Sequence, residues 1–371
     1  MGDDPRRLVI TVFPSFAVGG AQARFASIAN HFADRFRHTV IALNGDTSCR
    51  ERIDSAVHIE YPMIALKKGN TLNNRQIIRR YLLETKPNVL VTCNFGSLDW
   101  VLANTPKLMR HMHIEDGFGP DERVRQIPRR VWLRRLLLRR SQVVLPSRNL
   151  LAIATNIWRL PQKNLHYIPN GIDLVRFGTA VPEMRWPSNV GPVIGTVAAL
   201  RAEKNLARLV RAFALVARAT KCHLAIIGDG PERSMLQALA GELGVADHIT
   251  FTGHSGAPQG LYRGLDIYAL SSDTEQMPMT VLEAMAAGLP IAGTAVGDVA
   301  AMVTDDNRRL IVPLSDDALA ASLRELVDDR ALRTALGAAN RIKVVQDYDQ
   351  QIMFDAYAAL FDGLPVRPGH P

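Results

Sequence analysis

The run Ser271-Ser272-Asp273-Thr274-Glu275-Gln276-Met277-Pro278-Met279-Thr280-Val281-Leu282-Glu283-Ala284-Met285-Ala286-Ala287-Gly288-Leu289-Pro290 lies between two short apolar stretches, Ile267 to Leu270 and Ile291 to Gly293. Its apolar middle, Thr280 to Ala287, has helical length and is stopped by Gly288 and Pro290. The whole predicts strand, polar loop, helix and strand, the connection that joins parallel strands. Glu275 falls in the loop and Glu283 in the opening turns of the helix. Pro278 suits the first helical turn, where its missing N–H would be unpaired. The amides of Met279, Thr280 and Val281 would then offer an anion a helix terminus. The two carboxylates read as an acid/base couple or as two separate hydroxyl-binding groups. The plain alternative is a favourable helix-terminal charge at Glu283 and a surface residue at Glu275.

The same alternation runs outward in both directions. Strands are expected at Leu8 to Phe13, Thr39 to Leu43, Val89 to Thr92, Gln142 to Pro146 and Leu165 to Ile168. A second series is expected at Val193 to Val197, Leu224 to Ile227, Ile249 to Phe251 and Ile267 to Leu270, then Ile291 to Gly293, with an edge strand at Leu310 to Val312. Helical patterns fall between them, as at Ala21 to Phe32, Arg75 to Glu84, Arg129 to Arg140 and Asn205 to Ala217. This is an α/β chain with parallel sheets. At 371 residues it is long enough for two cores. Residues 174 to 190 hold Pro182 and Pro187 and little periodicity, and read as the linker between domains at 1–178 and 190–342. An amphipathic helix, Tyr348 to Phe361, closes the chain.

Composition narrows the function classes. The net charge of +8 favours anionic ligands or surfaces. Cys49, Cys93 and Cys222 are too scattered for a disulfide framework or thiolate cluster, and imply a reducing compartment. No signal-peptide segment or run of 18 uncharged apolar residues is evident, so a cytoplasmic location without a membrane span is expected. Arg123 to Arg140 contains eight arginines and no acidic residue, interleaved with Trp132, Leu133, Leu136 and Leu137. It reads equally as a helix lying on an anionic membrane surface, at the inner face of the plasma membrane, and as a domain helix with its arginines in water. Aromatic residues make up only 6% of the chain and no recognition module is visible, which disfavours nucleic acid.

The loops after the strands hold the candidate chemistry, because open parallel sheets bind ligands at those ends. Lys204 and Arg201, in Leu200-Arg201-Ala202-Glu203-Lys204-Asn205, can meet a diphosphate without a metal. Gly228-Asp229-Gly230 either lets a nucleotide approach the backbone or makes a tight turn. Neither it nor Gly19-Gly20 completes the G-x-G-x-x-G run, so hydride transfer is disfavoured. Asn94, Glu115 and Asp116 read as loop contacts for an acceptor. His111 and His113 read as one strand-end histidine facing in and one facing out, with no metal-ligand spacing.

Six stretches together resemble the retaining glycosyltransferases of the two-domain GT-B architecture, particularly glycosyltransferase family 4. They are Gly19-Gly20-Ala21-Gln22, Pro169-Asn170-Gly171-Ile172-Asp173, Glu203-Lys204-Asn205, Gly228-Asp229-Gly230-Pro231-Glu232, Phe251-Thr252-Gly253, and the run from Glu275 through Leu282-Glu283-Ala284-Met285-Ala286 to Pro290. The resemblance implies two Rossmann-like domains facing a central cleft, the first for the acceptor and the second for a nucleoside diphosphate sugar. It implies that the tail helix, about 345–363, packs back on the first domain. It implies transfer to a glycan or lipid-linked acceptor with no cofactor and no metal.

By the same resemblance Glu275 and Gln276 hold the transferred sugar and Glu283 the ribose. Lys204 and Arg201, with the backbone from Met277 to Val281, take the diphosphate. Gly19, Gly20 and Gly228 line the donor, and His113 contacts the sugar near its anomeric carbon. Two positions depart from the family pattern: Gln276 stands where Gly is usual, and Ala199 where Arg is usual. Ala199 keeps open a nucleotide-sugar binding protein of impaired catalysis, and the fold keeps open a sugar-nucleotide epimerase.

Overall fold

The computed structural model describes residues 5–67, 69–122, 125–183, 190–255 and 259–366. The chain divides into two compact units, one of residues 1–170 and 351–371 and one of residues 171–350.

The first unit is built on a sheet of seven parallel strands: β1 (Arg7–Phe13), β2 (Phe36–Ala42), β3 (Ile59–Glu60), β4 (Val89–Cys93), β5 (Arg110–Ile114), β6 (Gln142–Leu145) and β7 (Leu165–Tyr167). Their order is β3-β2-β1-β4-β5-β6-β7. β1 and β4 are buried almost throughout, as a sheet covered on both faces requires. One face is closed by the terminal helix Gln350–Asp362, whose Met353, Phe354, Tyr357 and Phe361 join the core of Phe25, Ile28, Phe32 and Phe36. The Phe36 and Phe361 rings meet edge-on at 5.2 Å.

The second unit repeats the plan with six parallel strands: β8 (Val193–Val197), β9 (His223–Ile227), β10 (Ile249–Gly253), β11 (Ile267–Leu270), β12 (Ile291–Thr294) and β13 (Ile311–Val312). The order β10-β9-β8-β11-β12-β13 reverses between β8 and β11, as the first sheet reverses between β1 and β4. Such reversals open a crevice at the strands' carboxyl ends. Most of the loops singled out by their sequence lie beside these two points.

The stretch 174–178 is not linker. Asp173 accepts a hydrogen bond from the Arg176 amide at 2.9 Å and caps a short helix, Leu174–Gly178. Phe177 of that helix is buried, 5.9 Å from the Tyr262 ring, so the segment is part of the second unit. Pro187 lies outside the described residues.

Candidate functional site

In the second unit, two loops that leave neighbouring strands are laced together. β8 runs into Ala198 to Leu200 and the turn Ala202–Lys204, and β11 runs into Ser271 to Met277. The Asp273 amide donates to the Glu203 carbonyl at 2.9 Å, and the Ser271 hydroxyl donates to the Lys204 carbonyl at 3.0 Å. Asn205 and Arg208 both reach Asp273, at 3.0 and 2.8 Å. This frame places the Lys204 ammonium 2.6 Å from Glu275 Oε1, and the Ser272 hydroxyl donates to the same oxygen at 2.8 Å.

The loop is held from behind by Gly297, at φ +52°. A Cβ there would lie 2.5 Å from the carbonyl oxygens of Glu275 and Gln276, closer than real contacts allow. The next amide, of Asp298, donates to the Gln276 carbonyl at 2.9 Å.

Pro278 stands one position earlier than expected. It is the extended residue before the helix Met279–Ala286, with ψ near 120°, and not its first residue. Its carbonyl accepts from the Val281 amide at 3.2 Å. Of the three amides expected to serve a ligand, Val281's is therefore spent in the first turn, while those of Met279 and Thr280 make no backbone hydrogen bond among the described residues.

One turn into the helix, Glu283 accepts at 2.7 Å from the hydroxyl of Tyr262, a residue that no sequence motif marks. Burial and the nearby Glu283 charge push the Tyr262 phenol well above its ordinary range, so it stays a donor. The Arg201 side chain is exposed and makes no hydrogen bond or ion pair among the described residues.

Gly228 has a structural task that the sequence left open. At φ +140° its missing Cβ would lie 1.9 Å from the Ala198 carbonyl oxygen, so the glycine admits the neighbouring backbone. The Leu200 amide then donates to the Asp229 carbonyl at 3.0 Å, which fixes the Ala198–Leu200 segment.

In the first unit, Glu115 is not an exposed loop carboxylate. It is fully buried, and Arg134 Nε donates to its Oε2 at 3.1 Å. The same guanidinium forks onto Glu122 with two bonds of 3.1 Å. Its plane lies 4.9 to 5.3 Å from the rings of Phe95, Phe118 and Trp158. Burial opposes the Glu122 charge, but Arg134 and Arg130 outweigh it and hold that carboxyl below its usual range.

The helix Pro128–Leu137 packs Val131, Leu133 and Leu137 against the core, as a domain helix does, but it also directs two arginines inward. Arg130 and Arg134 face the carboxylates, while Trp132 and Leu136 stand 58% and 56% exposed. Positions i and i+4 share a face, so two arginines directed inward leave that apolar pair outside.

His111 and His113 do not face opposite ways either. Residues i and i+2 of a strand share a face. Both are buried, and both meet the Thr92 hydroxyl, at 2.9 and 2.8 Å. Burial, with the nearby His113 and Lys107, pushes the His111 imidazole down to about 3, which keeps it neutral. His113 Nε2 lies 3.5 Å from Glu115 Oε2.

Asp116 is paired with buried Arg24, at 2.6 Å, and Arg24 also donates to Asn170 at 2.8 Å. Burial works against the Arg24 charge, yet Asp116 raises its pKa above the ordinary value. Asn94, at φ +56°, accepts from the Asp116 amide at 2.8 Å. Gly19 and Gly20 open the helix Gly20–His31, which has no side-chain cap and no acidic residue in its first turn. The site residues therefore form two groups: Arg201, Lys204, Gly228 and 275–283 in the second unit, and Gly19, Gly20, Asn94, His113, Glu115 and Asp116 in the first. Among the described residues, no group of three or more His, Cys, Asp or Glu side chains is placed to hold a metal, and no helix is long and apolar enough to cross a membrane.

Comparison with known proteins agrees with this architecture. Residues 184–343 match the family model for glycosyl transferases group 1, and residues 18–176 match that for glycosyltransferase family 4. The lipopolysaccharide core biosynthesis glycosyltransferase LpsD of Rhizobium meliloti is 31% identical over 181 residues, 48% of this chain and 52% of that protein. A GDP-mannose-dependent alpha-(1-6)-phosphatidylinositol monomannoside mannosyltransferase of Mycobacterium tuberculosis is 32% identical over 197 residues, 49% of this chain and 51% of that protein. The chain thus spans about half the length of these curated relatives. A glycosyltransferase of Rickettsia africae superimposes with a TM-score of 0.81 at 15% identity, covering 97% of this chain and 98% of that one. HepE of Anabaena, solved in complex with UDP and glucose, gives 0.79 at 16% identity over 97% and 100%.

Proposed function

We propose that this chain, a GT-B-fold protein related to the family 4 and group 1 glycosyltransferases, moves a sugar from a nucleoside diphosphate sugar to a glycan or lipid-linked acceptor, with retention at the anomeric carbon. The observation that carries the reading is the Lys204–Glu275 contact of 2.6 Å beside the reversal of the second sheet. It sets a cation for phosphate next to an acceptor of sugar hydroxyls, one loop away from a helix with two unspent amides.

In this reading the second unit takes the donor. Lys204, Arg201 and the amides of Met279 and Thr280 hold the diphosphate, Glu283 the ribose, and Glu275 with Gln276 the transferred sugar. Groups fixed before the reaction stabilise the leaving diphosphate without reorganising. Glu275 is already engaged by Lys204 and Ser272, which disfavours it as a covalent nucleophile. Attack on the same face by the acceptor hydroxyl, its proton passing to the leaving phosphate, gives retention with no protein nucleophile. The first unit takes the acceptor near Asn94 and Asp116, while Glu115, fully buried against Arg134, is not a contact. Exposed Trp132 and Leu136, with exposed Arg129 and Arg139 on the same segment, supply the chemistry of a contact with an anionic lipid surface. The setting proposed is the cytoplasmic side of the membrane, in surface polysaccharide or glycolipid synthesis.

Incubation with a panel of nucleotide sugars and a lipid extract tests the reading. Acceptor-dependent release of nucleoside diphosphate is expected. Tight binding without turnover would favour the impaired binding protein that Ala199 suggests, and a changed donor without acceptor would favour an epimerase. Tyr262→Phe is expected to raise the donor KM several-fold with little change in kcat, because it takes away the hydroxyl that positions Glu283 and leaves the carboxylate itself in place. A fall in kcat at unchanged KM would place Tyr262 elsewhere in the reaction.

A further inference from the structure

We infer a second anion site in the first unit, at the end of the sheet opposite the loops described above. A cavity of about 450 Å³ opens there, at the amino ends of β5, β6 and β7, and the chain after the terminal helix forms one wall. Lys107, Arg110, Arg140 and Lys163 line it, with His111 and His166, and among the described residues no carboxylate does. The volume falls among those of small-molecule sites, roughly 300–1,000 Å³, and exceeds what a lone halide would fill.

The cations are not explained by the fold alone. Arg110 is partly spent, since it donates to the carbonyls of Leu360 and Phe361, at 2.6 and 3.2 Å, in the last turn of the terminal helix. A cation at a helix carboxyl end is an ordinary stabilising device. Lys107, Arg140 and Lys163 have no such contact, and no ion pair among the described residues. The two histidines add no negative charge. Burial lowers the pKa of both, and Lys107 contributes to the lowering at His111.

Four like charges around one hollow repel each other, and an entering anion removes that repulsion. A guanidinium fork at Arg140 and point charges at Lys107 and Lys163 suit the oxygens of a phosphate group. The ligand class is a small phosphorylated anion, either free or as a lipid headgroup. Because Arg110 joins the sheet to the terminal helix beside the cavity, an occupant would tie the last described residues to the sheet.

This inference does not depend on the transferase reading. Its test titrates inorganic pyrophosphate into the full chain carrying Lys204→Ala and Arg201→Ala, which removes both cations assigned above to the donor diphosphate, and follows binding by calorimetry. One binding event is expected, weakened at least tenfold when Arg140→Ala and Lys163→Ala are added, with the thermal midpoint unchanged. In parallel, phosphatidylcholine vesicles with and without phosphatidic acid are floated with the wild-type chain, with Trp132→Ala, and with the Arg140→Ala/Lys163→Ala variant. Flotation that needs phosphatidic acid, survives Trp132→Ala and is lost with the two cations identifies a headgroup. Pyrophosphate binding without such flotation identifies a free phosphate ligand. The site is disproved if neither anion binds, or if the Arg140→Ala/Lys163→Ala substitutions leave both unchanged.

Discussion

Arg134→Ala is expected to cost the first unit about 3–5 kcal/mol, the penalty for stranding buried charge. Arg134 is fully buried, and it donates three hydrogen bonds to two carboxylates that are themselves buried, Glu115 and Glu122. Removing the guanidinium leaves both without their cation and opens a void between Phe95, Phe118 and Trp158. For a unit of this size the thermal midpoint should fall by roughly 6–20 °C. Arg134→Lys should recover only part of the loss, since a single ammonium cannot fork onto one carboxylate and reach the other. Arg308→Ala is the control. Its partner Asp305 is 87% exposed, and such pairs contribute at most about 1 kcal/mol. Denaturant unfolding followed by tryptophan fluorescence reads the first unit, because Trp158 lies against Arg134, and calorimetry reads the control in the second unit. A loss for Arg134→Ala no larger than the control's would mean that water reaches the two carboxylates.

That cluster also shows where the sequence stops being legible. Most strands and helices follow from local apolar periodicity, and the second sheet's edge strand at Ile311–Val312 is readable for that reason, whereas the short β3 and the polar β5 are not among the strands expected. The direction of the helix Pro128–Leu137 is not readable either. Its four arginines are interleaved with five apolar residues, and periodicity places arginine in water unless a buried acid is known to wait for it. Glu115 and Glu122 reach Arg134 across 19 and 12 residues of chain, and nothing local announces the pairing. Thr92 is hidden in the same way, a strand threonine whose hydroxyl serves two histidines on the next strand. Tyr262 reaches Glu283 across 21 residues and had no motif to mark it. Motif residues were easier to find than to interpret. Gly228 was visible as a glycine, but only the approach of the Ala198 carbonyl shows what its missing side chain makes room for.

The Lys204–Glu275 pair should give the largest change in activity. In the structure the ammonium rests on Glu275 Oε1, at 2.6 Å, with both side chains partly open to solvent. A partly open pair of this kind, whose carboxylate keeps the Ser272 hydroxyl, adds about 1 kcal/mol to stability, so Lys204→Ala should still fold. Its catalytic cost is different. A fixed cation facing a leaving diphosphate is comparable to one donor of an oxyanion hole, whose removal lowers kcat by about 10²–10³. Lys204→Ala is therefore expected to lower kcat on that order in steady-state assays of nucleoside diphosphate release. Glu275→Gln should fall comparably, because the amide keeps the shape but loses the negative charge that orders Lys204 and the sugar hydroxyls. Combining the two separates the roles. If the pair only stiffened the loop, replacing both partners would restore activity toward wild type; the proposed roles require that it does not. Arg201→Ala adds the third measurement. Its guanidinium is exposed and without a partner among the described residues, free to supply the charge missing at Ala199. A loss of about tenfold, near 1.4 kcal/mol of transition-state stabilisation, is expected if it does so. An unchanged rate would leave Lys204 and the helix amides to carry the diphosphate alone.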